Sequence, residues 1–398
     1  MSDDRPRLVP LEPRQVQLQD GAMAFALRDP LGVLEGAAVV SPAAYWILAH
    51  LDGSRTVSGV VVALREVGVR ATVADVERVV AQARAAGLVH GPTYDRKRVR
   101  ALAAYRAGPR APACAGGAYP DDPRDLDAML AGFFAHPDGP GQRHPARNGV
   151  ALDPRLLVAP HIDFPRGGPS YAHAYGALDG CSADLFVVFG TAHASPPHLF
   201  TLTRQAFATP LGEVPVDRAV ADALVTALGE EELLSDELVH LGEHSVEFQV
   251  VWLRWLLGSR PFTVLPVLCS SISHLEDPGA ATRPFLDALS RATAGRRVCF
   301  VAGADLAHAG PMYGDDAPVS RPALEGLGTE DLRTLAFLER GDADGFHRDA
   351  TVEDERRRLC GVAPIYAAMR AAGRGARLLH HGQWWDGTDS VSFCAAAG

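Results

Sequence analysis

Lysine is almost absent from this chain of 398 residues, and Lys97 is its only example. A phosphate-binding P-loop needs a lysine after its glycine-rich turn, and Schiff-base chemistry needs a buried amine. Lys97 meets neither need, because it lies in the arginine-rich stretch RKRVRALAAYRAGPR. Both classes of mechanism are therefore excluded.

Long apolar runs and clustered cysteines are also missing. No uninterrupted apolar stretch is long enough to cross a bilayer, and the first residues, MSDDRPRLVP, do not resemble a signal peptide. The six cysteines are scattered and form no CxxC unit, which is typical of a reduced protein. The net charge of −10 disfavours nucleic acid as a partner. These features predict a cytoplasmic protein with no membrane or nucleic-acid partner and leave the oligomeric state open.

The length and the 47% hydrophobic content indicate a globular protein of two domains. Residues 1–95 read as a small separate module that begins with a short antiparallel sheet. Three helices are expected after Ser41, Thr56 and Thr72, which are good N-caps, and the third is expected to end at Gly87. The phrase LVHG that follows is expected to start a wing strand.

This order of elements, with the phrases AHLDGSRTVSGVVVAL and VERVVAQARAAGLV, resembles PqqD-like domains. Those domains are winged-helix peptide-recognition modules of peptide-modifying pathways. The resemblance implies that residues 1–95 dock a leader peptide or a partner protein. A structural appendage and a degenerate DNA-binding fold are the alternatives, and the lack of a basic helix face disfavours the second.

Residues 96–113 are rich in arginine and alanine and contain two prolines, so we expect a linker there, helical in its first half and extended in its second. Residues 114–398 alternate strand-like and helical segments. This rhythm predicts an α/β domain with a mostly parallel sheet and helices on both faces.

Three strand-like runs of the larger part end in a histidine: LLVAPHIDF with His161, DLFVVFGTAH with His193 and VCFVAGADLAH with His308. A fourth phrase, RRLCGVAPIYAAMR, places Cys360 just before an apolar helix, whose N-terminus would stabilise a thiolate. Ligands gather at the carboxyl ends of parallel strands, so these side chains are candidates for one transition-metal site. The spacing alone is not diagnostic of a metal.

Read in order, the larger part is similar to the Memo family over almost all of residues 114–398. The matching phrases are AGGAYPDDPRDLDAML, APHIDFPRGGPSYAHAY, GTAHASPPH, ATPLGEVPVD, GEHSVEFQVVWL, ADLAHAG, LCGVAPIYAAM and DSVSFCAAAG. The family includes proteins encoded beside radical-SAM and AMMECR-type proteins. Its fold resembles that of the class III extradiol dioxygenases, which bind a metal in a shared cavity.

The resemblance implies a role for each matching position. The metal ligands fall on His161, His193 and Cys360, with iron or copper as the expected metal and zinc as an alternative. Asp305 and His308 in ADLAHAG, and His244 in EHSVE, fall on catalytic or ligand-orienting positions.

Three phrases depart from the family pattern, and one of them is GTAH in place of the usual GPxH. The usual APHAGY is APHIDF here, which introduces Asp163, a candidate for orienting an imidazole or for binding the metal directly. The usual SSDxSH is GADLAH, so two hydroxyls are lost at Gly303 and Ala304. We expect these changes to alter the substrate-facing wall.

The resemblance to the Memo family implies no role for several other polar and aromatic residues near the matching phrases. His380 and His381 are expected to be structural, and Trp384 and Trp385 are expected to be packing residues. The arginines at 356–358 are expected to form a solvated helix end.

The leading hypothesis is a metal-dependent redox enzyme of the dioxygenase type that acts on a peptide or a small aromatic substrate. The first alternative is a binding or adaptor protein with a structural or vestigial metal. The second is a zinc-dependent hydrolase in which His308 is the base for a metal-bound water. Under the leading hypothesis, the amino-terminal module presents a peptide, or a radical-SAM or AMMECR-type partner, to the site.

Overall fold

The computed structural model describes residues 4–141, 153–352 and 354–398 of the chain. They form two compact units, Met1–Ala107 and Gly108–Gly398. The boundary falls inside the stretch for which the sequence predicts a linker. The first half of that stretch is helical, as expected, because it belongs to a helix over Pro92–Tyr105.

The first unit has a three-stranded antiparallel sheet followed by four helices. The strands are β1 (Glu12–Gln17), β2 (Met23–Arg28) and β3 (Ala37–Val40), in the order β1-β2-β3. The helices are α1 (Pro42–Ala49), α2 (Val57–Glu66), α3 (Val73–Ala86) and α4 (Pro92–Tyr105).

The predicted helix starts and the predicted stop in this unit are confirmed. Ser41 and Thr56 cap α1 and α2, since their side-chain oxygens accept hydrogen bonds from backbone amides of the first turn. Thr72 forms a capping box with Asp75 at the start of α3. Gly87 ends α3 with a φ of 86°, a left-handed conformation that favours glycine.

The wing strand expected at LVHG is not formed. Val89 makes only an isolated antiparallel bridge to Leu8. Gly91 and Pro92 then start α4, because proline suits the first turn of a helix and has no amide hydrogen for a strand ladder.

The second unit is built around one eight-stranded sheet. Its strands are β4 (Leu156–Ala159), β5 (Leu185–Thr191), β6 (Phe200–Leu202), β7 (Thr263–Cys269), β8 (Val298–Gly303), β9 (Asp305–Ala309), β10 (Arg377–Trp385) and β11 (Ser390–Ala397).

Ten helices accompany this sheet in the described residues. They are α5 (Pro123–Ala135), α6 (Phe164–Gly176), α7 (Arg218–Leu228), α8 (Glu230–Leu234), α9 (His244–Leu257), α10 (Pro278–Ala292), α11 (Arg321–Arg340), α12 (Ala343–Thr351), α13 (Asp354–Arg357) and α14 (Val362–Ala372).

The sheet is mixed, so the prediction of a mostly parallel sheet is wrong. The strand order is β10-β11-β4-β8-β5-β7-β6, with β9 paired to β11. Parallel pairing is confined to the central strands β4, β8, β5 and β7. The pairs β10–β11, β11–β4, β11–β9 and β6–β7 are antiparallel, because a carboxy-terminal hairpin and a short edge strand extend the parallel centre on its two sides.

Helices cover both faces of the parallel centre, as the sequence predicts. Alternate strand residues such as Val187 and Val267 pack in a large core cluster with α7, α10 and α14. The intervening residues face the other way, since side chains alternate along a strand. There Gly190 and Gly303 meet α9.

Within the described residues, no helix combines the length and the apolar character needed to span a membrane.

Candidate metal centre

The predicted site residues follow strands that end at one edge of the sheet. His161 and His193 come two residues after β4 and β5. Asp305 and His308 lie on β9, directly beyond β8, and Cys360 precedes α14. Because β4, β8 and β5 are parallel neighbours, their carboxyl ends bring these side chains to one crevice.

The three predicted ligands converge there. The ligand atoms of His161, His193 and Cys360 all lie within 4.8 Å of one another. The Sγ atom of Cys360 is 3.1 Å from Nε2 of His161, and the ring centroids of the two histidines are 5.1 Å apart. Residues far apart in the sequence thus supply two imidazoles and one thiol to one point.

His161 is buried and held in one orientation. Its backbone amide donates to Oδ1 of Asp305 at 2.8 Å, and its Nδ1 atom lies 2.9 Å from the carbonyl oxygen of Gly303. A carbonyl oxygen only accepts, so Nδ1 carries the hydrogen and Nε2 carries the lone pair. Burial lowers the pKa of His161 to about 3, which keeps the ring neutral, as metal coordination requires.

His193 is oriented by a carboxylate. Its Nδ1 lies 3.0 Å from both side-chain oxygens of Glu243, and its backbone amide donates to the same carboxylate. Burial alone would raise the pKa of Glu243, but the hydrogen bond and charge of His193 hold it well below the usual range. An ionised carboxylate on Nδ1 leaves Nε2 as the coordinating nitrogen of His193.

Cys360 lies in a turn that is fixed on two sides. Its carbonyl oxygen accepts a hydrogen bond from Oγ1 of Thr191, and the amide of Gly361 donates to the carbonyl oxygen of Asp305. Burial raises the pKa of the Cys360 thiol well above its usual range. In the metal-free chain this effect outweighs that of the helix N-terminus, which the sequence suggested would stabilise a thiolate. A coordinated cation would reverse this balance, because a thiol that coordinates a metal is deprotonated.

This donor set fits a transition metal. Ligand bonds of about 2.0–2.3 Å place ligand atoms roughly 3–4 Å apart, which the spacing of the trio allows. Both imidazoles have Nδ1 tied to an acceptor, as metal-binding histidines do. Imidazole and thiolate suit iron, copper or zinc and do not suit magnesium or calcium.

A second group, His193, Glu243 and His244, has ligand atoms equally close together. Glu243 is less suited to coordinate, since its oxygens already accept hydrogen bonds from the amide of Ser245 and from the amide and ring of His193. The trio with Cys360 is therefore the better candidate.

The three residues with predicted catalytic roles lie around this point. His308 has Nδ1 3.0 Å and 3.2 Å from the carbonyl oxygens of Leu306 and Arg358, so its Nε2 is the basic nitrogen. Burial lowers the pKa of His308 and raises that of Asp305. Oδ2 of Asp305 is 3.7 Å from Nε2 of His161.

His244 lines the cavity and does not cap the helix. It is the first residue of α9, while the preceding residue, Glu243, is the N-cap. The His244 ring stacks on that of His193, with centroids 4.7 Å apart and planes 15° from parallel. Burial lowers the pKa of His244 to about 4, against the opposing charge of Glu243.

The site opens into a cavity of about 300 Å³. Its lining contains the predicted site residues other than Cys360, together with residues such as Cys114, Arg166, Phe248 and Tyr313. Sequence reasoning missed these residues and the role of Glu243. The sequence offered one signal for the role of Glu243, which is its position beside His244 at the start of a predicted helix.

Of the departures at APHIDF and GADLAH, only the first places a changed residue in the cavity lining. Asp163 does line the cavity, although its carboxylate caps α6 and pairs with Arg166 and does not orient an imidazole. Gly303 and Ala304 do not line it. A Cβ at Gly303 would lie 2.4 Å from the carbonyl oxygen of Ser245, and Ala304 is fully buried. Close packing against α9 accounts for the missing side chain at Gly303.

The arginines at 356–358 are not all solvated, so that expectation is wrong. Arg357 is buried, with 1% of its surface exposed, and donates to Oγ1 of Thr334 and to the carbonyl oxygen of Asp349. Arg358 pairs with Asp315 at 2.7 Å. Only the Arg356 side chain lies largely in solvent.

The paired histidines on β10 stay outside the cavity lining, as expected. Nδ1 of His380 lies 2.6 Å from Oγ of Ser170, and His381 pairs with the buried Asp331.

Backbone strain is concentrated beside the ligands. In the described chain, only two non-glycine residues have a clearly positive φ: Ser195 at 47° and Arg358 at 48°. Ser195 follows His193 by two residues, and Arg358 precedes Cys360 by two. Such conformations cost energy and collect at functional sites.

Comparison with known sequences identifies the family of the second unit. The family model described as "Memo-like protein" matches residues 110–396. This chain belongs to the Memo family. It is 30% identical to a MEMO1 family protein of Methanopyrus kandleri over 265 residues, which are 66% of this chain and 86% of that protein.

Other Memo family relatives match at similar levels. A MEMO1 family protein of Aeropyrum pernix is 30% identical over 285 residues, covering 70% of this chain and 94% of that protein. One from Nitrosopumilus maritimus is 25% identical over 249 residues, with 61% and 85% coverage. The matched family region therefore contains His161, His193 and Cys360 and lies within the second unit.

Proposed function

We propose that the second unit is a metal-dependent oxidoreductase of the dioxygenase type, acting on a small aromatic or peptide substrate. Iron or copper bound by His161, His193 and Cys360 would supply O₂ activation. In this class of reaction O₂ is the oxidant and both of its atoms enter the organic product, so no further reductant is needed. The observation that carries the proposal is the convergence of these three donors at a cavity that also contains a basic imidazole.

The chain's own residues would manage position and protons. Nε2 of His308 accepts a proton from a substrate hydroxyl, because its Nδ1 is committed to backbone carbonyls. Asp305 holds the backbone of His161 and lies beside its Nε2. Phe248 and Tyr313 contribute aromatic side chains to the cavity lining, and such side chains would suit a planar substrate.

Zinc-dependent hydrolysis is the second candidate, because two imidazoles and a thiolate also suit zinc. A binding or adaptor role is the other alternative. The altered wall at Asp163 fits it, whereas Gly303 does not line the cavity and gives it no support.

Metal analysis followed by oxygen uptake separates these candidates. Protein purified without added metal is analysed for iron, copper and zinc, and is then loaded with each metal in turn. Oxygen consumption in the presence of catechols and tyrosine-containing peptides is measured with each metal. Uptake with iron or copper that disappears in His308→Gln, with metal content unchanged, supports the proposal. Zinc alone with no uptake, or no metal at all, contradicts it.

We also propose that the first unit docks a peptide or a partner protein, such as a radical-SAM or AMMECR-type protein. Its three-stranded sheet and following helices support the resemblance to PqqD-like modules. Docking raises the effective concentration of a tethered substrate near the site. Turnover of the native peptide should therefore fall when residues 1–107 are removed, while turnover of a small free substrate should not. Equal turnover of the peptide by both forms would make the unit an appendage.

A further inference from the structure

Arg166 stands in the cavity of the candidate metal centre. It is the third residue of α6 and lines the cavity together with His161 and Tyr313. Among the described residues of that lining, it is the only arginine or lysine. A guanidinium stays charged at any physiological pH, so Arg166 is the permanent cation of the cavity.

The guanidinium is held from two directions. Its Nε lies 3.0 Å from both carboxylate oxygens of Asp163, and Nη2 lies 2.8 Å from Oδ2 of the same residue. Its central carbon is 4.7 Å from the centroid of the Trp384 ring, in cation–π geometry. An arginine fixed on one edge and one face loses little further entropy when it binds a ligand.

One nitrogen of Arg166 has no protein acceptor. Nη1 forms no hydrogen bond with any residue that the structure describes, although the group is partly buried, with 33% of its side chain exposed. The carboxylates near it are engaged elsewhere. Asp163 is paired with the other two nitrogens, and Oδ1 of Asp305 accepts from the amide of His161. The unbonded nitrogen is thus available to an anion from outside the chain.

The geometry points to Arg166 as the residue that binds a substrate carboxylate, so that the cavity takes planar aromatic carboxylates. The aromatic part follows from the rings of Phe248 and Tyr313 in the same lining. This inference deepens the proposed function and rests on it only in taking the cavity as the substrate site. The carboxylate belongs either to a free aromatic acid or to the end of a peptide.

Binding to the full-length, metal-loaded protein tests this assignment. Two matched pairs of probes are titrated by calorimetry: 4-hydroxybenzoate against 4-hydroxybenzamide, and N-acetyltyrosine against N-acetyltyrosinamide. The first pair represents a free acid and the second a peptide end. For at least one pair, the carboxylate should bind about tenfold more tightly than the amide, as expected for a charge-assisted hydrogen bond.

The variants assign that preference to one side chain. Arg166→Gln should abolish the preference for the carboxylate and leave amide binding unchanged. Arg166→Lys should keep only part of it, because the planar fork is lost. Arg321→Gln is the matched control, since Arg321 also stacks on a tryptophan, at 5.3 Å from the Trp385 centroid, but lies outside the cavity lining. Metal content should be the same in every variant, and this shows that the site has folded.

Equal affinity for carboxylate and amide in the wild-type protein for both pairs, or a preference that survives Arg166→Gln, would overturn the inference. The second outcome would mean that the metal binds the carboxylate. An Arg166-dependent preference without any oxygen uptake would uphold the inference and count against the proposed function alone.

Discussion

Arg110 and Glu247 form an ion pair that is almost completely buried, with 0% and 1% of their side chains exposed. The guanidinium also donates to the carbonyl oxygens of His240 and Glu243 at 2.6 Å and 2.8 Å. Glu247 in turn accepts from the hydroxyl of Tyr119. The first residues of the second unit are thereby tied to the start of α9, where Glu243 orients His193.

This ion pair determines where the metal-binding unit can be cut. A fragment over 108–398 should fold and keep its metal, because the large core lies entirely within that unit. The same fragment with Arg110→Met lacks the guanidinium, so it leaves Glu247 as a buried carboxylate with no cation beside it. We expect it to be about 3–5 kcal/mol less stable. Urea denaturation and metal content of the two fragments measure the difference, and equal midpoints would show that the ion pair contributes nothing.

Replacement of the thiol should separate metal binding from folding. Cys360→Ser exchanges a soft ligand for a hard, protonated one, so iron or copper content should drop severely, while the free energy of unfolding of the metal-free protein changes by only about 1 kcal/mol. Cys114→Ser, in the same cavity, is the control and should retain the metal. Elemental analysis after dialysis against a weak chelator reads out both variants. A full metal complement in Cys360→Ser would remove Cys360 from the ligand set.

Loss of the charge on Glu243 should weaken the metal site without emptying it. Glu243→Gln keeps the shape of the side chain but removes the ionised acceptor on Nδ1 of His193, so metal affinity should fall about 10–100-fold. Competition with a chromophoric chelator measures this affinity. Asp236→Asn is the control, because Asp236 pairs with Nδ1 of His198 outside the site at 3.1 Å. If both variants bind metal equally well, Glu243 plays no orienting role.

The turn at Cys360 depends on the absence of a side chain at the next residue. A Cβ at Gly361 would lie 2.3 Å from the carbonyl oxygen of Asp305, so Gly361→Ala should push the turn before α14 away from β9. We expect a loss of about 1–3 kcal/mol of stability and a lower metal content. Gly326→Ala, within α11 and with open space around it, should stabilise the protein by about 0.5–1 kcal/mol. Thermal denaturation of both variants checks the sign of each change, and a Gly361→Ala protein with wild-type stability would show that the turn yields easily.

Local signals in the sequence were sufficient for much of the fold. The helix starts at Ser41, Thr56 and Thr72 were predicted because a cap is formed by a residue and its neighbours three positions away. The convergence of His161 and His193 was predicted because both end strands of the parallel centre.

Features that depend on distant partners escaped prediction. Arg357 lies in a run of three arginines and looks solvated, yet Asp331 and Asp349 reach it from α11 and α12. The sheet was expected to be mostly parallel because periodicity indicates a strand but not its direction, which for β11 is set by its hairpin with β10. The contact between Glu243 and His193 joins residues fifty positions apart.

The pair of glycines under α9 has a consequence for how this site tolerates variation. Gly190 and Gly303 are register partners on adjacent strands, and a Cβ on either would lie within 2.5 Å of Ser245. The start of α9 packs directly against these two glycines. This close packing allows Glu243 and His244 to reach the crevice. Gly190 and Gly303 lie outside the cavity lining, yet they should tolerate substitution less well than Asp163 or Arg166, which line the cavity. Substitutions in the cavity lining can therefore change what the site binds, whereas the two positions under α9 have to remain glycine.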